Sequence, residues 1–295
     1  MLLKLALEHN AHFACSSYVS PELAASAGTA AARGLVILTE CGLDPGIDHL
    51  LGHELVRRAS QVVGDQPATV RFASYCGSNP AVPNDFKYRF SWAPRGVLTA
   101  LLTPARMIDG GVVTEVAHPW DAVTVQVVNG ERFEVYPNRD SVPFVDTYHF
   151  PATWTVDDFV RGTLRLDGWH DAWKSVFDEL SDASDQRITD LANELASRYP
   201  TSATDHDRVV MSVALDVRIE NGEHWHGEYI LDAVGTADEA ATPRLVSVPL
   251  ACAIVDVVGG AMTPGLHQAA DDPAVVGRWL TDLAEEGITA EYRGD

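Results

Sequence analysis

Residues Gly34 to Leu38, Gly-Leu-Val-Ile-Leu, restrict the fold more than any other stretch of the chain. The run is apolar without alternation. Turns fence it on both sides, Gly34 ahead of it and Gly42-Leu-Asp-Pro-Gly46 behind it. A strand with one wet face alternates apolar and polar residues. An unbroken apolar run over Leu35–Thr39 therefore predicts a strand covered on both faces, as in a parallel sheet. The flanking segments agree. Pro21–Arg33 is rich in alanine and predicts a helix that Gly34 stops. Ala11–Ser17 predicts a short buried strand leading into Tyr18-Val-Ser-Pro21, and residues 3–8 predict the end of a helix. With the helix that follows Pro45, residues 1–50 read as an α/β unit.

Beyond that point the pattern changes. Ala68–Tyr75, Ala122–Val128, Arg208–Glu220 and His226–Val234 alternate as half-buried strands do. The last two flank Asn221-Gly222, a strong hairpin signal. Asp171–Tyr199 predicts a helical segment with a polar face, Arg244–Gly259 an apolar helix and Asp272–Glu286 an amphipathic one. The middle of the chain is thus an α+β domain with an antiparallel component.

The totals exclude several roles. The 295 residues suffice for one large domain or two smaller ones. A net charge of -21 argues against nucleic acid as a partner, because phosphate binding needs a basic face. No apolar run approaches the roughly 20 residues that span a bilayer, so no membrane partner is expected. The N-terminal MLLKLALEHNAHF lacks the basic start and cleavage site of a signal peptide. Cys15, Cys41, Cys76 and Cys252 form no CxxC pair, which points to a reducing, cytoplasmic setting and away from disulfide or zinc frameworks. The chain also holds no Gly-x-Gly. The phosphate turn of a dinucleotide fold needs those glycines. Either the chain serves no nucleotide chemistry, or the first half of a Rossmann domain is not in it.

Several places carry candidate chemistry. His49 and His53 share one helical face, but a metalloprotease helix wants Glu after the first His, where Leu50 stands. His224 and His226 share a hairpin face with no third ligand evident, so no metal is expected at either place. Asp44-Pro45 reads first as a helix start, Asp44 as the cap and Pro45 as the first helical residue. The same geometry joins a strand end, a two-glycine turn and a helix N-terminus, which is where open α/β sheets bind ligands. Ser16, Ser17 and Tyr18 occupy the neighbouring strand end, where they either satisfy loop backbone or share that cleft. Arg139, in Tyr-Pro-Asn-Arg-Asp-Ser, and Arg165, in Arg161-Gly-Thr163-Leu-Arg165, are either solvated charges or carboxylate receptors, and Asp140 is an available partner for Arg139. Cys76 in SYCGS reads as an inert buried thiol.

Together CSSYVSPEL, TECGLDPGIDHLLGHE, SYCGSNP, YRFSWAPRGVLTALLTPAR, VYPNRDS, VRGTLR and LVSVPLACAIVDVVGGAMTPG resemble the saccharopine reductases, the glutamate-forming saccharopine dehydrogenases of lysine metabolism. The motifs fall in the family's order and cover nearly the whole chain. The resemblance implies an α/β architecture: the C-terminal part of a Rossmann-like, NADP-binding domain (residues 1–50 with 245–295) and an α+β substrate and dimerisation domain with a mixed sheet (51–244). The family's helical third domain would be reduced to a short insert near 171–199. A homodimer is implied.

The resemblance also implies an oxidoreductase using NADP(H). Glutamate and aminoadipate semialdehyde condense to an imine, hydride reaches the C=N carbon, and the reverse reaction oxidises saccharopine. Leu43, Asp44 and Pro45 would meet the nicotinamide end of the cofactor, with Cys76 nearby. Ser16, Ser17, Asp44, Arg139, Thr163, Leu164 and Arg165 would bind saccharopine, a small anionic amino acid. Asp44 or Tyr18 would relay the proton. Two alternatives stand beside this reading: a related dehydrogenase acting on a carboxylated polyamine or another imine-derived amino acid, and a truncated non-catalytic binding or dimerisation module.

Overall fold

A computed structural model of the protein describes residues 2–91, 93–202 and 204–295. Trp92, inside the Tyr88–Arg106 motif, and Met1 and Ala203 lie outside the described residues. The chain begins with α1 (Leu2–Glu8), β1 (Phe13–Ala14), α2 (Pro21–Ala32), β2 (Val36–Leu38) and α3 (Ile47–Val63). There follow β3 (Ala68–Pro80), α4 (Pro94–Leu101), β4 (Ala105–Asp109), β5 (Val112–Val116), β6 (Thr124–Val128), β7 (Glu131–Pro137) and α5 (Phe144–Thr147). Then come β8 (Trp154–Leu166), α6 (Trp169–Leu180), α7 (Asp185–Arg198), β9 (Asp207–Ile219) and β10 (His224–Val234). The chain closes with α8 (Ala241–Val258), β11 (Gly265–His267), α9 (Pro273–Glu285) and β12 (Glu291–Gly294). Two compact units result: one takes in the chain to Arg57 and Thr242–Thr289, the other Arg58–Ala241 and Ala290–Asp295.

In the first unit β2 is the central strand of a parallel sheet ordered β1-β2-β11. Its central position explains the unbroken apolar run, because Val36, Ile37 and Leu38 are all buried. Leu3, Leu7, Leu23 and Ala30 from α1 and α2 pack with Leu35 and Ile37. The first strand is shorter than Ala11–Ser17. It pairs only at Phe13 and Ala14, and the His12 side chain takes the next ladder position by accepting the Val36 N–H at 2.9 Å.

Helix α8 corrects one expectation. Among the described residues it is long and apolar enough, by length and composition, to cross a membrane. Leu245, Ala253 and Val257 are buried, while Val255 and Val258 are exposed.

The second unit is built on a nine-stranded sheet among the described residues, with the path β12-β10-β9-β3-β8-β4-β5 and with β7 joining β8 to β6. Strand β3 runs parallel to β8 and antiparallel to β9, so the sheet is mixed. The Asn221-Gly222 turn closes the β9–β10 hairpin, as its dipeptide requires. The helical stretch 171–199 is two helices, α6 and α7, and Ser184 caps the second by accepting the Arg187 N–H at 3.2 Å. Trp169 and Trp173 of α6 are fully buried and pack with Leu98, Leu101, Leu191 and Leu195. Each such tryptophan contributes roughly 3 kcal/mol or more by burial.

Register sets up the site. Ser74 lies opposite Arg161 and Cys76 opposite Thr163. Tyr136 of β7 flanks Thr163 from the other side, and Glu134 flanks Arg165. Side chains alternate along a strand, so Ser74, Cys76, Arg161, Thr163, Arg165, Tyr136 and Glu134 share one face. Gly77 lets the two strands close: a Cβ there would lie 1.9 Å from the Leu164 carbonyl oxygen.

Candidate active site

Each unit carries its own cluster. In the first, the three parallel strands end at one edge, and the turn after β2 supplies the groups. That turn is tight. The Gly42 N–H donates to the Pro45 carbonyl and the Ile47 N–H to the Gly42 carbonyl, both at 2.9 Å. Gly46 stands at φ +150°, and a Cβ there would lie 2.0 Å from the Gly42 oxygen. A Cβ on Gly42 would likewise meet Ser16 Cβ at 2.7 Å, which brings the first strand's end against the turn. The Asp44–Pro45 peptide is cis.

Asp44 does not cap the helix. The Gly42–Gly46 closure delays α3 to Ile47, and the Gly46 N–H is taken by Asp48 Oδ1 at 2.7 Å. Asp44 instead accepts the Tyr18 hydroxyl at Oδ1, 2.8 Å away. The two candidate proton-transfer groups are thereby joined. Both are half-buried, Ser17 beside them is exposed, and Leu43 and Pro45 are buried.

Beneath the turn lies a charged group that the residue patterns did not flag. Glu40 is 2% exposed, with left-handed backbone at φ +59°. Its Oε1 accepts the Val19 N–H at 3.0 Å and its Oε2 the Gln268 side-chain amide at 3.1 Å. His49, 1% exposed, puts Nε2 3.3 Å from Oε2. Burial pushes this carboxyl up, but His49 and the donors from Val19 and Gln268 outweigh it and hold Glu40 below the usual glutamate range. The signal in the sequence was an acid placed directly after a fully buried strand. His49 therefore faces Glu40, and among the described residues no three His, Cys, Asp or Glu side chains are placed to hold a metal ion. His224 and His226 both lie on Asp216 Oδ1, at 3.1 and 3.0 Å.

In the second unit the notable group is Arg165. It is 9% exposed, and its guanidinium stands over Tyr88 at 5.0 Å, Tyr136 at 5.9 Å and Trp169 at 6.0 Å. Its one hydrogen bond to protein backbone is long, Nη1 to the Ser78 carbonyl at 3.4 Å. Glu134, its cross-strand neighbour, is engaged elsewhere: it caps α6 by accepting the Gly168 N–H at 3.1 Å and the His170 N–H at 2.6 Å. No described carboxylate forms an ion pair with Arg165. A buried guanidinium without an acid is costly, and an entering carboxylate would satisfy it. The ring cage was invisible in the sequence because it gathers a loop residue, Tyr88, with Tyr136 of β7 and Trp169 of α6.

The other expected residues fall as follows. Thr163 and Cys76 are cross-strand neighbours beside Arg165 on that face. The Leu164 side chain packs on the opposite side with Phe133 and Val210, so it offers a site only its backbone. Arg139 is exposed and has φ +57°. Asp140, its suggested partner, pairs with Arg106 at 2.7 Å. Arg161 is buried with its guanidinium 4.2 Å from the Phe144 ring. A separate cavity of about 400 Å³ is lined by Arg71, Tyr75, Gln126, Asp158 and Asp216 and by none of the expected site residues. Arg71 is already matched there by Asp157 at 2.8 Å and Asp158 at 3.1 Å, so it offers an anion little.

The chain resembles known proteins over most of its length. Residues 42–288 match the family model described as the saccharopine dehydrogenase C-terminal domain. The chain is 30% identical over 284 residues to the NADP(+), L-glutamate-forming saccharopine dehydrogenase of Pyricularia oryzae, covering 86% of this chain and 58% of that protein. It is 34% identical over 203 residues to the Saccharomyces cerevisiae protein of the same name, covering 67% and 43%. The chain thus spans about half the length of the curated relatives it matches. A solved structure of apo, histidine-tagged saccharopine dehydrogenase (L-Glu forming) from Saccharomyces cerevisiae shares the fold, with TM-score 0.82 and 24% identity over 100% of this chain and 82% of that one. With the family model matching most of its length, the chain belongs to the saccharopine dehydrogenase C-terminal domain family.

Proposed function

We propose that this chain serves a saccharopine dehydrogenase of the glutamate-forming type, an NADP(H)-dependent oxidoreductase acting on a CH–NH bond. The reaction interconverts saccharopine with glutamate and aminoadipate semialdehyde. The observation that carries the reading is Arg165, a buried cation in a ring cage with no ion-paired carboxylate among the described residues. Saccharopine has three carboxylates, and a planar guanidinium binds one through two parallel bonds. Arg139 is assigned a second carboxylate, and Thr163 the hydroxyl contact beside Arg165. The names of the relatives, which specify NADP(+) and glutamate formation, support the same substrate.

The cofactor fits at one end only. The turn Leu43-Asp44-Pro45, at the carboxyl edge of a parallel sheet with Ser16 packed against it, suits the nicotinamide end. Without any Gly-x-Gly, these 295 residues offer no turn of the usual kind for the pyrophosphate. When bound, the cofactor exchanges hydride with the carbon of the substrate's C–N bond. The chain's own residues supply alignment and proton handling. Asp44, held by Tyr18, offers its carboxylate to the substrate nitrogen, and the Tyr18 hydroxyl moves a proton along the 2.8 Å bond. Ser16 and Ser17 are assigned further contacts to saccharopine. A homodimer is part of the reading.

The test pairs binding with turnover. Titration calorimetry with saccharopine is expected to give binding that Arg165→Met and Arg139→Ala each weaken. The near-ultraviolet absorbance of NADPH is expected to rise with saccharopine and NADP+, and Asp44→Asn is expected to stop it. Binding unaffected by both arginine changes would sink the assignment. Preference for a ligand with fewer carboxylates would favour the carboxylated-polyamine alternative, and binding without turnover would favour a non-catalytic module.

A further inference from the structure

Glu40 grips the backbone on both sides of Tyr18. Its own N–H donates to the Ser17 carbonyl at 3.1 Å, and its Oε1 accepts the Val19 N–H at 3.0 Å. Tyr18, between these two anchors, is the residue whose hydroxyl reaches Asp44. Glu40 also ties the other two strand ends. It lies two residues beyond β2, and its Oε2 holds Gln268, which follows β11. The adjacent Thr39 N–H donates to the His267 carbonyl at 2.9 Å. His49, in the first turns of the helix that leaves Gly46, closes the arrangement at 3.3 Å from Oε2. One buried carboxylate thus meets the ends of all three parallel strands and the helix that carries the ligand turn.

We propose that Glu40, backed by His49, is the positioning residue that holds Tyr18 on Asp44. The proposal has a structural part, the Tyr18–Asp44 bond, and a catalytic part, which rests on the function proposed above. Glu40 touches neither substrate nor cofactor. It acts through the backbone of Ser17 and Val19, and its side chain has no bond to the Tyr18 phenol itself. The left-handed backbone supports this. A non-glycine residue at φ +59° is kept where its surroundings fix it, and here the surroundings are the strand ends themselves. Glutamine at this position keeps the length and one acceptor but loses the charge and replaces an acceptor oxygen with a donor. Its amide would then face the Gln268 amide or His49, and one of the three side-chain contacts must break.

The test separates the two parts. The chain is labelled with 3-fluorotyrosine, and the Tyr18 fluorine signal is assigned by its loss in Tyr18→Phe. Glu40→Gln and His49→Gln are each expected to shift that signal and to move its pH titration in the direction that Asp44→Asn moves it. Val36→Ala, which loosens the same sheet without touching the carboxylate, is expected to leave the titration in place. A Tyr18 signal that titrates unchanged in whichever of Glu40→Gln and His49→Gln folds would overturn the proposal. Two variants are used so that the experiment still decides if one of them fails to fold. In turnover, Glu40→Gln is expected to lower kcat by roughly 10- to 100-fold with KM for saccharopine changed by no more than about threefold. The double variant with Tyr18→Phe is expected to be no worse than Tyr18→Phe alone. Additive losses would overturn the catalytic part. A wild-type chain with no saccharopine turnover would count against the proposed function, and the fluorine signal would still decide the positioning role.

Discussion

Replacing Arg165 by methionine should separate binding from stability. The guanidinium lies over three rings at 5.0, 5.9 and 6.0 Å. Contacts of this kind contribute about 0.5–1 kcal/mol each, roughly 2 kcal/mol together. The 3.4 Å bond to the Ser78 carbonyl is at the long limit and adds about 0.5 kcal/mol. Opposing these is the desolvation of a guanidinium that no described carboxylate pairs with, which costs several kcal/mol. Methionine keeps a flexible apolar stem and removes the charge. The balance predicts an unfolding free energy within about 1 kcal/mol of wild type, or higher by up to about 2 kcal/mol. The urea midpoint reads this, provided the slope is unchanged. Binding behaves differently. A carboxylate on the guanidinium gains about 1.5–3 kcal/mol per charge-assisted bond, so a lost bidentate pair weakens saccharopine binding by roughly 10²- to 10⁴-fold in calorimetry. Arg165→Lys keeps the charge without the fork and should fall between. A methionine variant that loses more than about 3 kcal/mol yet binds saccharopine normally would refute the reasoning, and Arg165 would be the cement of the ring cluster.

Three further outcomes can be measured. Gly77→Ala places a Cβ 1.9 Å from the Leu164 oxygen and 2.8 Å from its carbonyl carbon, so β3 and β8 must part near Arg165, at an expected cost of about 2–4 kcal/mol in urea unfolding. Burial pushes the Tyr75 phenol up to about 12, with a hydrogen bond from Gln126 opposing and Asp158 adding to the rise. The sign follows: this contribution is full below the unfolded value near 10 and is lost as pH rises toward 12, so Tyr75→Phe should lose less stability than wild type on the alkaline side. A wild-type midpoint flat to about pH 11.5 would count against that. Glu40 is shifted the other way, below the usual glutamate range, so its contribution is present above that range and is lost as pH falls through the lowered value. The stability gap between wild type and Glu40→Gln should therefore be widest near neutral pH and close in acid; a gap independent of pH would mean the charge is irrelevant.

Legibility in the sequence tracked burial pattern. The unbroken Leu35–Thr39 run gave a central parallel strand because nothing polar interrupts a strand buried on both faces. The Asn221-Gly222 hairpin and the Pro21 start of α2 were legible because their chemistry is local. Strand β8 was not. Trp154–Leu166 carries Asp157, Asp158, Arg161 and Arg165, charges that mask its alternation, and two of them are buried. The far end of β3 was hidden by Gly77 and Pro80, residues that usually end strands. At the site, Asp44 looked like a helix cap because a cap is the local reading. Its partner Tyr18 is 26 residues away, and only the parallel sheet brings the two together. The Tyr88, Tyr136 and Trp169 cage likewise joins three segments that no periodicity links.

The residues that local rules misjudge are also those with assigned roles. A glutamate belongs at the surface and in right-handed or extended backbone, yet Glu40 is buried at φ +59°. An arginine without an acid belongs in water, yet Arg165 is caged. The left-handed backbone at Glu40 costs on the order of 1–3 kcal/mol and survives only where its surroundings over-determine it. For Glu40 the surroundings are strand ends and α3, which would drift apart without a shared acceptor. For Arg165 they are three rings that can tolerate a cation but cannot neutralise it. The first conflict is met inside the fold, which fits a positioning role; the second finds no described carboxylate, which fits the proposed binding role. That difference is why Glu40→Gln should perturb Tyr18 without a ligand present, while Arg165→Met should show its main effect only when a carboxylate is offered.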